Sequence, residues 1–409
     1  MVRGVTDLAA RLHHPLPDLT PAPKTLGDIE GLRVAGVRAG IKASGNPDVA
    51  LLVAEHAVDV AAVFTQNKFA AAPVIVCREH LAKSGGRIRA IVVNSGNANA
   101  CTGDEGLQNA RNMCAQVARL VGCAAEEVLV ASTGVIGVPL PMEKVRAGIQ
   151  AAFEGLSAGP EAGRSFLAAI QTTDAYPKEA ATTGDHWSVA GVCKGAGMIA
   201  PNMATMLAFV ATDAPVEVAT LGDRVRSVAR GSFNAVHVDS HPSTNDSFFV
   251  IATRRGPEPV HFGAALEATC KRLAWLIARD GEGATKVTTI HVTGAASDAA
   301  AQAIARRVAE SALVRTALFG NDPNWGRFVS QVGNASECGS VRGLVCVLQG
   351  IPVFENDAPT AFDRAAASQA MAAEDVLLEL RLTEGTGAGV VLTSDLGYRY
   401  VEVNAEYTT

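Results

Sequence analysis

Between positions 194 and 211 a polar, glycine-spaced loop runs into one threonine, and an apolar run follows at once: Lys194-Gly195-Ala196-Gly197-Met198-Ile199-Ala200-Pro201-Asn202-Met203-Ala204-Thr205-Met206-Leu207-Ala208-Phe209-Val210-Ala211. Glycines admit positive φ and let main chain approach a ligand closely. Pro201 fixes its own φ and keeps Ala200 out of the helical region, so the approach to Thr205 is extended and stiff. The small side chain of Ala204 leaves the carbonyl between positions 204 and 205 open to attack. A threonine with a free amine carries its own general base, one of the few ways to make a hydroxyl nucleophilic at neutral pH. The pattern suits a nucleophile, Thr205, that becomes N-terminal by self-cleavage; it also fits a β-branched residue opening an ordinary strand. Gly195-x-Gly197-x-x-Ala200 has the spacing of a dinucleotide fingerprint, but that motif must open a helix where Pro201 and an apolar run stand instead.

Other segments carry chemistry of their own. A strand-like run at 128–131 leads into Ser132-Thr133-Gly134-Val135-Ile136-Gly137, where a hydroxyl beside a glycine amide can form a two-donor anion pocket. The run 88–93 ends in Asn94-Ser95-Gly96-Asn97-Ala98-Asn99, either a ligand loop or an Asn-rich turn. Glu282 stands on a glycine-flanked loop between a helix and a strand, as a ligand contact or a solvated charge. His237, Asp239 and His241 alternate as metal ligands on one strand face do, but Pro242 and the polar run after it argue for a turn, and no metal is expected.

These groups need a scaffold, and the 409 residues supply enough chain for two ordinary domains or one large layered unit. With 13 Phe, 4 Tyr and 3 Trp the core must be mostly aliphatic. A net charge of −6 leaves no basic footprint for nucleic acid, so a small molecule is the expected partner. The eight cysteines contain no C-x-x-C pair and read as buried small apolar residues in a reducing compartment. No run is long and apolar enough for a signal core or a membrane span, so a soluble cytoplasmic protein is expected.

Residues 1–31 read as a poorly ordered leader. Short strands are predicted at 49–54, 60–65, 73–77 and 88–93, with Gly85-Gly86 as a turn. Helical spacing covers 107–121, stopped by Gly122, then 142–153, 162–170, 216–230, 264–279 and one long helix from 298 to about 319. Further strands fall at 187–193, 236–239, 247–252, 287–292, 342–354, 376–383 and 388–393. Alternation from Tyr400 to Thr409 suggests a C-terminus tied into a sheet. The mixture predicts layered α/β architecture with helices covering sheets.

Several of these blocks, in order from about residue 32 to the end, resemble the ArgJ family, the ornithine acetyltransferases or glutamate N-acetyltransferases. They are Gly36-Val37…Gly40-Ile41-Lys42, Phe64-Thr65-Gln66-Asn67, the Asn94–Asn99 cluster, Ser132 through Gly137, Lys194 through Leu207, Asp280 through Lys286, Asn321 through Arg327 and Val403-Asn404-Ala405-Glu406-Tyr407. Pro201-Asn202-Met203-Ala204-Thr205-Met206-Leu207 is the most specific of them.

The resemblance implies a layered α/β sandwich of the ArgJ/DmpA-like type, made as a self-cleaving precursor. Cleavage between Ala204 and Thr205 leaves an α chain, 32–204, and a β chain, 205–409, usually assembled as two α and two β. The implied reaction moves acetyl from N²-acetylornithine to glutamate, with no cofactor; whether acetyl-CoA also serves as donor stays open. Carried over by motif, Thr205 is the nucleophile, and Thr133 and Gly134 form the oxyanion hole. Thr172 or Thr173, Lys194, Thr205, Glu282, Asn404 and Thr409 contact substrate. A covalent acetyl-threonine splits the exchange into two half-reactions and predicts ping-pong kinetics. A self-processing aminopeptidase or amidase of the same architecture is the alternative. The family's Asp-Gly-Asp-Thr-Ser-Thr-Asn-Asp stands here as Asp239-Ser240-His241-Pro242-Ser243-Thr244-Asn245-Asp246, which alters the turn and keeps Thr-Asn-Asp.

Overall fold

The computed structural model describes residues 22–200 and 206–406. The chain divides into two compact units, one of residues 20–234 with 241–273 and the other mainly of 235–240 with 274–408. Among the described residues no helix is long and apolar enough to cross a membrane.

The first unit runs β1 (Leu32–Val37), β2 (Val49–Phe64), α1 (Ala72–Ser84), β3 (Arg87–Asn97), α2 (Gly103–Val121), β4 (Val128–Val135), α3 (Met142–Glu154) and α4 (Pro160–Ile170). It continues with β5 (Lys178–Thr183), β6 (Ser188–Lys194), β7 (Leu207–Val216) and α5 (Val218–Gly231). After β8 (Val236–His237), which is counted with the second unit, come β9 (Ser247–Arg255) and α6 (Phe262–Arg279). The eight-stranded sheet has the order β4-β3-β2-β9-β7-β6-β5, with β1 also on β2. The β3–β4 and β7–β9 pairs are parallel, and the others are antiparallel. Every residue of β6 is buried, as are the first six positions of β7. A strand covered on both faces reads as a continuous apolar run, which is the texture of the segment behind position 205.

Three sequence expectations change in this unit. The runs at 49–54 and 60–65 are one strand, β2, whose register on β3 shifts between Val53 and Val58. Its first half pairs with β1 and β3 and its second half with β9, while Glu55 and His56 at the irregularity are exposed. The run 73–77 is not a strand but the start of α1, with proline in the first turn, where its missing N–H is harmless. Packing overrides the β-branched composition there: Cys77 Sγ donates to the Val130 carbonyl at 3.0 Å, and His80 Nδ1 lies 2.7 Å from the Val128 carbonyl. Burial pushes the Cys77 thiol up to about 12, an inert apolar filler. Part of the stretch expected as a leader, 1–31, is structured: residues 22–31 are described, and Leu26 and Ile29 among them are buried in the core. Residues 1–21 lie outside the described residues.

The second unit holds β10 (Val287–Ala295), α7 (Asp298–Glu310), α8 (Ala312–Phe319), α9 (Trp325–Gly333), β11 (Val345–Leu348), β12 (Ile351–Glu355), β13 (Ala358–Pro359), α10 (Arg364–Ala370), β14 (Asp375–Arg381), β15 (Gly387–Ser394) and α11 (Tyr398–Glu406). Its seven-stranded sheet has the order β13-β12-β11-β14-β10-β15-β8. Ile304, Val308, Val314, Leu318, Phe328 and Val332 from three helices join Ile290, Leu378 and Val391 in its core. The single helix expected from 298 to 319 is two. Ser311 leaves helical conformation, and its hydroxyl accepts from the Val314 amide at 3.3 Å as a new N-cap. The C-terminal alternation is not a strand either. Residues 398–406 form α11, pinned at its start by an edge-on contact of Tyr398 with Phe319.

Candidate active site

The site is built where β3, β4 and β6 of the first unit end and β7 begins. The parallel β3–β4 ladder loses its register at Gly96 and Asn97, opposite Thr133 and Gly134. Such irregularities re-aim groups beside active sites. Gly134 takes φ +132, and a Cβ there would sit 2.3 Å from the Gly96 carbonyl carbon, so only glycine fits.

The asparagine cluster proves to be scaffold. Asn94 Nδ2 donates to the Asn97 carbonyl at 2.8 Å and Asn94 Oδ1 accepts from Ser132 Oγ at 2.6 Å. Asn97 Nδ2 reaches the Val138 and Pro139 carbonyls at 3.0 and 3.2 Å, and Asn99 Nδ2 the Gly106 carbonyl at 3.0 Å. Amide side chains both donate and accept, so a run of them can hold an irregular loop whose own ladder is broken.

Lys194, the last residue of β6, is 3% exposed, and its Nζ donates to Thr133 Oγ1 at 3.3 Å. Because that oxygen accepts from the ammonium, the Thr133 hydroxyl proton is turned toward another acceptor, as an oxyanion donor requires. Lys194 also pairs in register with Leu207 of β7. Thr205 and Ala204 lie outside the described residues, but Leu207 is two residues beyond Thr205 in the chain.

Asp174 ties the remaining parts together and was missed as a site residue in the sequence. Its Oδ2 accepts from the Thr172 amide at 2.9 Å, and its Oδ1 from the Gly195 amide at 2.8 Å and from Lys178 Nζ at 2.6 Å. The Asp174 and Lys178 side chains are both fully buried. Burial alone raises such a carboxyl's pKa, but the charges of Lys178 and Lys194 and these hydrogen bonds outweigh it and hold Asp174 well below the usual carboxylate range. The substrate-contact candidate Thr172 is thus fastened to the residue after Lys194; Thr173 beside it is half-buried. Lys42 was visible only as part of a motif. Its Nζ donates to the Pro47 carbonyl at 2.7 Å, and burial, with help from Lys194, lowers its pKa to about 8 against the pull of Asp48. Only a three-dimensional arrangement brings Lys42, Asp174 and Lys194 within electrostatic reach, so no local spacing announces them.

Glu282 and Asn404 belong to the second unit. Asn404 Nδ2 donates to Glu282 Oε2 at 3.0 Å and to the Tyr400 carbonyl at 3.0 Å, so these two candidates do meet each other. Thr409 lies outside the described residues. The strand β8 stops at His237, whose ring bonds Thr393 Oγ1 at 3.0 Å and Ser240 Oγ at 2.8 Å, so the alternation through Asp239 and His241 is not carried by a strand. Among the described residues no cluster of His, Cys, Asp and Glu has the form of a metal site.

An α/β enzyme that gathers a hydroxyl, a constrained glycine and a buried lysine at the end of one sheet is built for acyl transfer. Comparison with known proteins narrows this further. The ArgJ family matches residues 33–409. The chain is 44% identical to the arginine biosynthesis bifunctional protein ArgJ of Rhodopirellula baltica, over 93% of this chain and 96% of that one. It is 47% identical to the protein of the same name from Thermus thermophilus, over 93% and 98%. Among solved structures, the arginine biosynthesis bifunctional protein ArgJ of Bacillus halodurans is 35% identical with a TM-score of 0.47, covering 49% of this chain and 98% of that one. The chain belongs to the ArgJ family, the ornithine/glutamate acetyltransferases of arginine biosynthesis.

Proposed function

We propose that this chain is a precursor that cuts itself between Ala204 and Thr205 and then moves acetyl from N²-acetylornithine to glutamate through an acetyl-Thr205 intermediate. The observation that carries this reading is the contact of Lys194 Nζ with Thr133 Oγ1 beside Gly134, on a strand that pairs with β7 at Leu207. The freed Thr205 amine takes the hydroxyl proton as Oγ attacks the acetyl carbonyl. The Thr133 hydroxyl and the Gly134 N–H receive the developing oxyanion. The tetrahedral centre collapses, the C–N bond breaks, and the proton passes to the leaving amine to give ornithine. Glutamate's amine then attacks the ester, and the same steps run in reverse.

Lys194 supplies positive charge for a substrate carboxylate, and the Asp174 clamp keeps Thr172 next to it. Thr173, Glu282, Asn404 and Thr409 stay assigned as substrate contacts on the sequence resemblance, as does assembly into two α and two β chains. Acetyl-CoA is proposed as a second acetyl donor. The test is a gel and an assay together. Wild-type protein gives two fragments and transfers acetyl to glutamate from acetylornithine and from acetyl-CoA, with parallel double-reciprocal lines for the acetylornithine reaction. Thr205→Ala gives one uncut, inactive chain, and full transfer by that variant would refute the nucleophile.

A further inference from the structure

The tetrapeptide Thr244-Asn245-Asp246-Ser247 touches both halves of this machinery at once. Asn245 is 5% exposed, and its Nδ2 donates to the Ser132 carbonyl at 2.8 Å and to the Ala98 carbonyl at 2.6 Å. The first of these carbonyls belongs to the peptide that enters Thr133. Asp246 is fully buried, and its Oδ1 accepts from the Met206 amide at 3.1 Å. That nitrogen is bonded directly to the Thr205 carbonyl carbon. The Ser247 amide in turn donates to the Met206 carbonyl at 3.1 Å, which continues the tetrapeptide into the β7–β9 ladder. The Ser243 and Thr65 side chains also bond the Asp246 carboxyl, whose pKa burial pushes well above the usual carboxylate range. Two consecutive side chains therefore grip the residue before the oxyanion donor and the residue after the nucleophile.

We propose that Asn245 and Asp246 form a brace that sets the distance between Thr205 and the Thr133–Gly134 oxyanion hole, acting as positioning residues and not on the acetyl group itself. The inference rests on the reading of Thr205 as nucleophile. The two side chains have opposite requirements. Asn245 must donate, because both of its Nδ2 partners are carbonyls, whereas Asp246 must accept, because its Oδ1 partner is an N–H. An isosteric exchange is consequently damaging at one position and harmless at the other. Asn245→Asp places a carboxylate oxygen against two carbonyls and loses the grip on Ser132. Asp246→Asn keeps an oxygen for Met206 and keeps the grip.

The experiment measures kcat, KM for glutamate, fragment formation and melting temperature for Asp246→Asn, Asp246→Ala and Asn245→Asp, with Thr205→Ala alongside. Asp246→Asn is expected within about threefold of wild type. Asp246→Ala and Asn245→Asp are expected to lose roughly 10–100-fold in kcat, as misplacement of reacting groups does, while KM for glutamate stays within about threefold. Equal, severe loss of kcat in Asp246→Asn and Asp246→Ala overturns the brace, and so does wild-type kcat in folded Asn245→Asp. If Asp246→Ala does not fold, the contrast between the two isosteric variants still decides. An active Thr205→Ala refutes the nucleophile; an inactive Thr205→Ala with wild-type brace variants refutes only the brace.

Discussion

At single residues, the chemistry depends on groups with no room to vary. Gly134→Ala would place a Cβ 2.3 Å from the Gly96 carbonyl carbon at a φ of +132. The loop must shift, and the proposed oxyanion donors shift with it. We expect kcat to fall by about 10²–10³, the cost of losing one such donor, with KM for glutamate little changed; a variant of undiminished kcat would remove Gly134 from the oxyanion hole. His237 offers a pH test in the second unit. Burial, with the charges of Arg315 and Arg306, lowers its pKa from 6.5 to about 3. The unfolded chain takes up that proton near 6.5 and the native chain only near 3, so in this window the unfolded state binds more protons. Stability falls as pH falls from 6.5, by up to about 1.4 kcal/mol per unit, and this group adds no slope above it. His237→Gln, which cannot titrate, should flatten the urea midpoint between pH 6.5 and 4; an unchanged slope would assign the acid sensitivity to other groups. Among the proposed site residues, Thr133-Gly134 has a special local pattern after a strand, whereas Lys194 is assigned through the family resemblance. Asp174, Asn245 and Asp246 looked like ordinary polar loop residues, because their roles arise from backbone amides and carbonyls brought to them by distant strands.

Among the elements, amphipathic helices were legible wherever their period ran long enough. The expected 107–121, 142–153, 162–170 and 264–279 correspond to α2, α3, α4 and α6 with shifts of a few residues at the ends. Most of the failures share a cause. A five-residue apolar run at 73–77 is too short to reveal its period, and tertiary packing on β4 made it helical. A register shift inside β2 and a helical C-terminus packed on Phe319 are also decided by partners far away in sequence, whereas the break at Ser311 is a local cap. Close packing of elements gives its own test. α4 lies so near β1 that a Cβ on Gly36 would fall 1.9 Å from the Ser165 carbonyl oxygen. Ser165 Oγ closes the contact, accepting from the Gly36 amide and donating to its carbonyl, each at 2.9 Å. Gly36→Ala should therefore destabilise by about 1–3 kcal/mol or more through overpacking. Chemical denaturation measures this directly, and an unchanged midpoint would mean that α4 can move away freely.

At the scale of the molecule, the proposed cut falls in an unusual place in the topology. The sheet of the first unit runs β4-β3-β2-β9-β7-β6-β5. Strands β2 to β6 precede position 204, whereas β7 and β9 follow it. The two later strands therefore lie in the middle of the sheet, with β9 hydrogen-bonded to β2 from Asp59↔Ala252 to Phe64↔Ser247 and β7 to β6 from Val189↔Thr212 to Lys194↔Leu207. Phe209 and Phe249, one on each, stack at 5.3 Å, and Phe166 of α4 packs edge-on to Phe209 at 5.2 Å. Severing the 204–205 peptide thus removes one covalent bond and leaves two full ladders and a shared aromatic core. Each buried phenylalanine alone is worth about 1.5–3 kcal/mol, so separating the fragments means unfolding the sheet. We expect both fragments to elute together in size-exclusion chromatography at 1 M salt, because the ladders and the aromatic core between them persist when the Arg255–Asp59 and Arg254–Glu30 ion pairs are screened. Fragments expressed apart are expected to be insoluble, and expressed together to restore transfer. Clean separation of two folded fragments under native conditions would show that the strands on either side of the cut do not share one sheet.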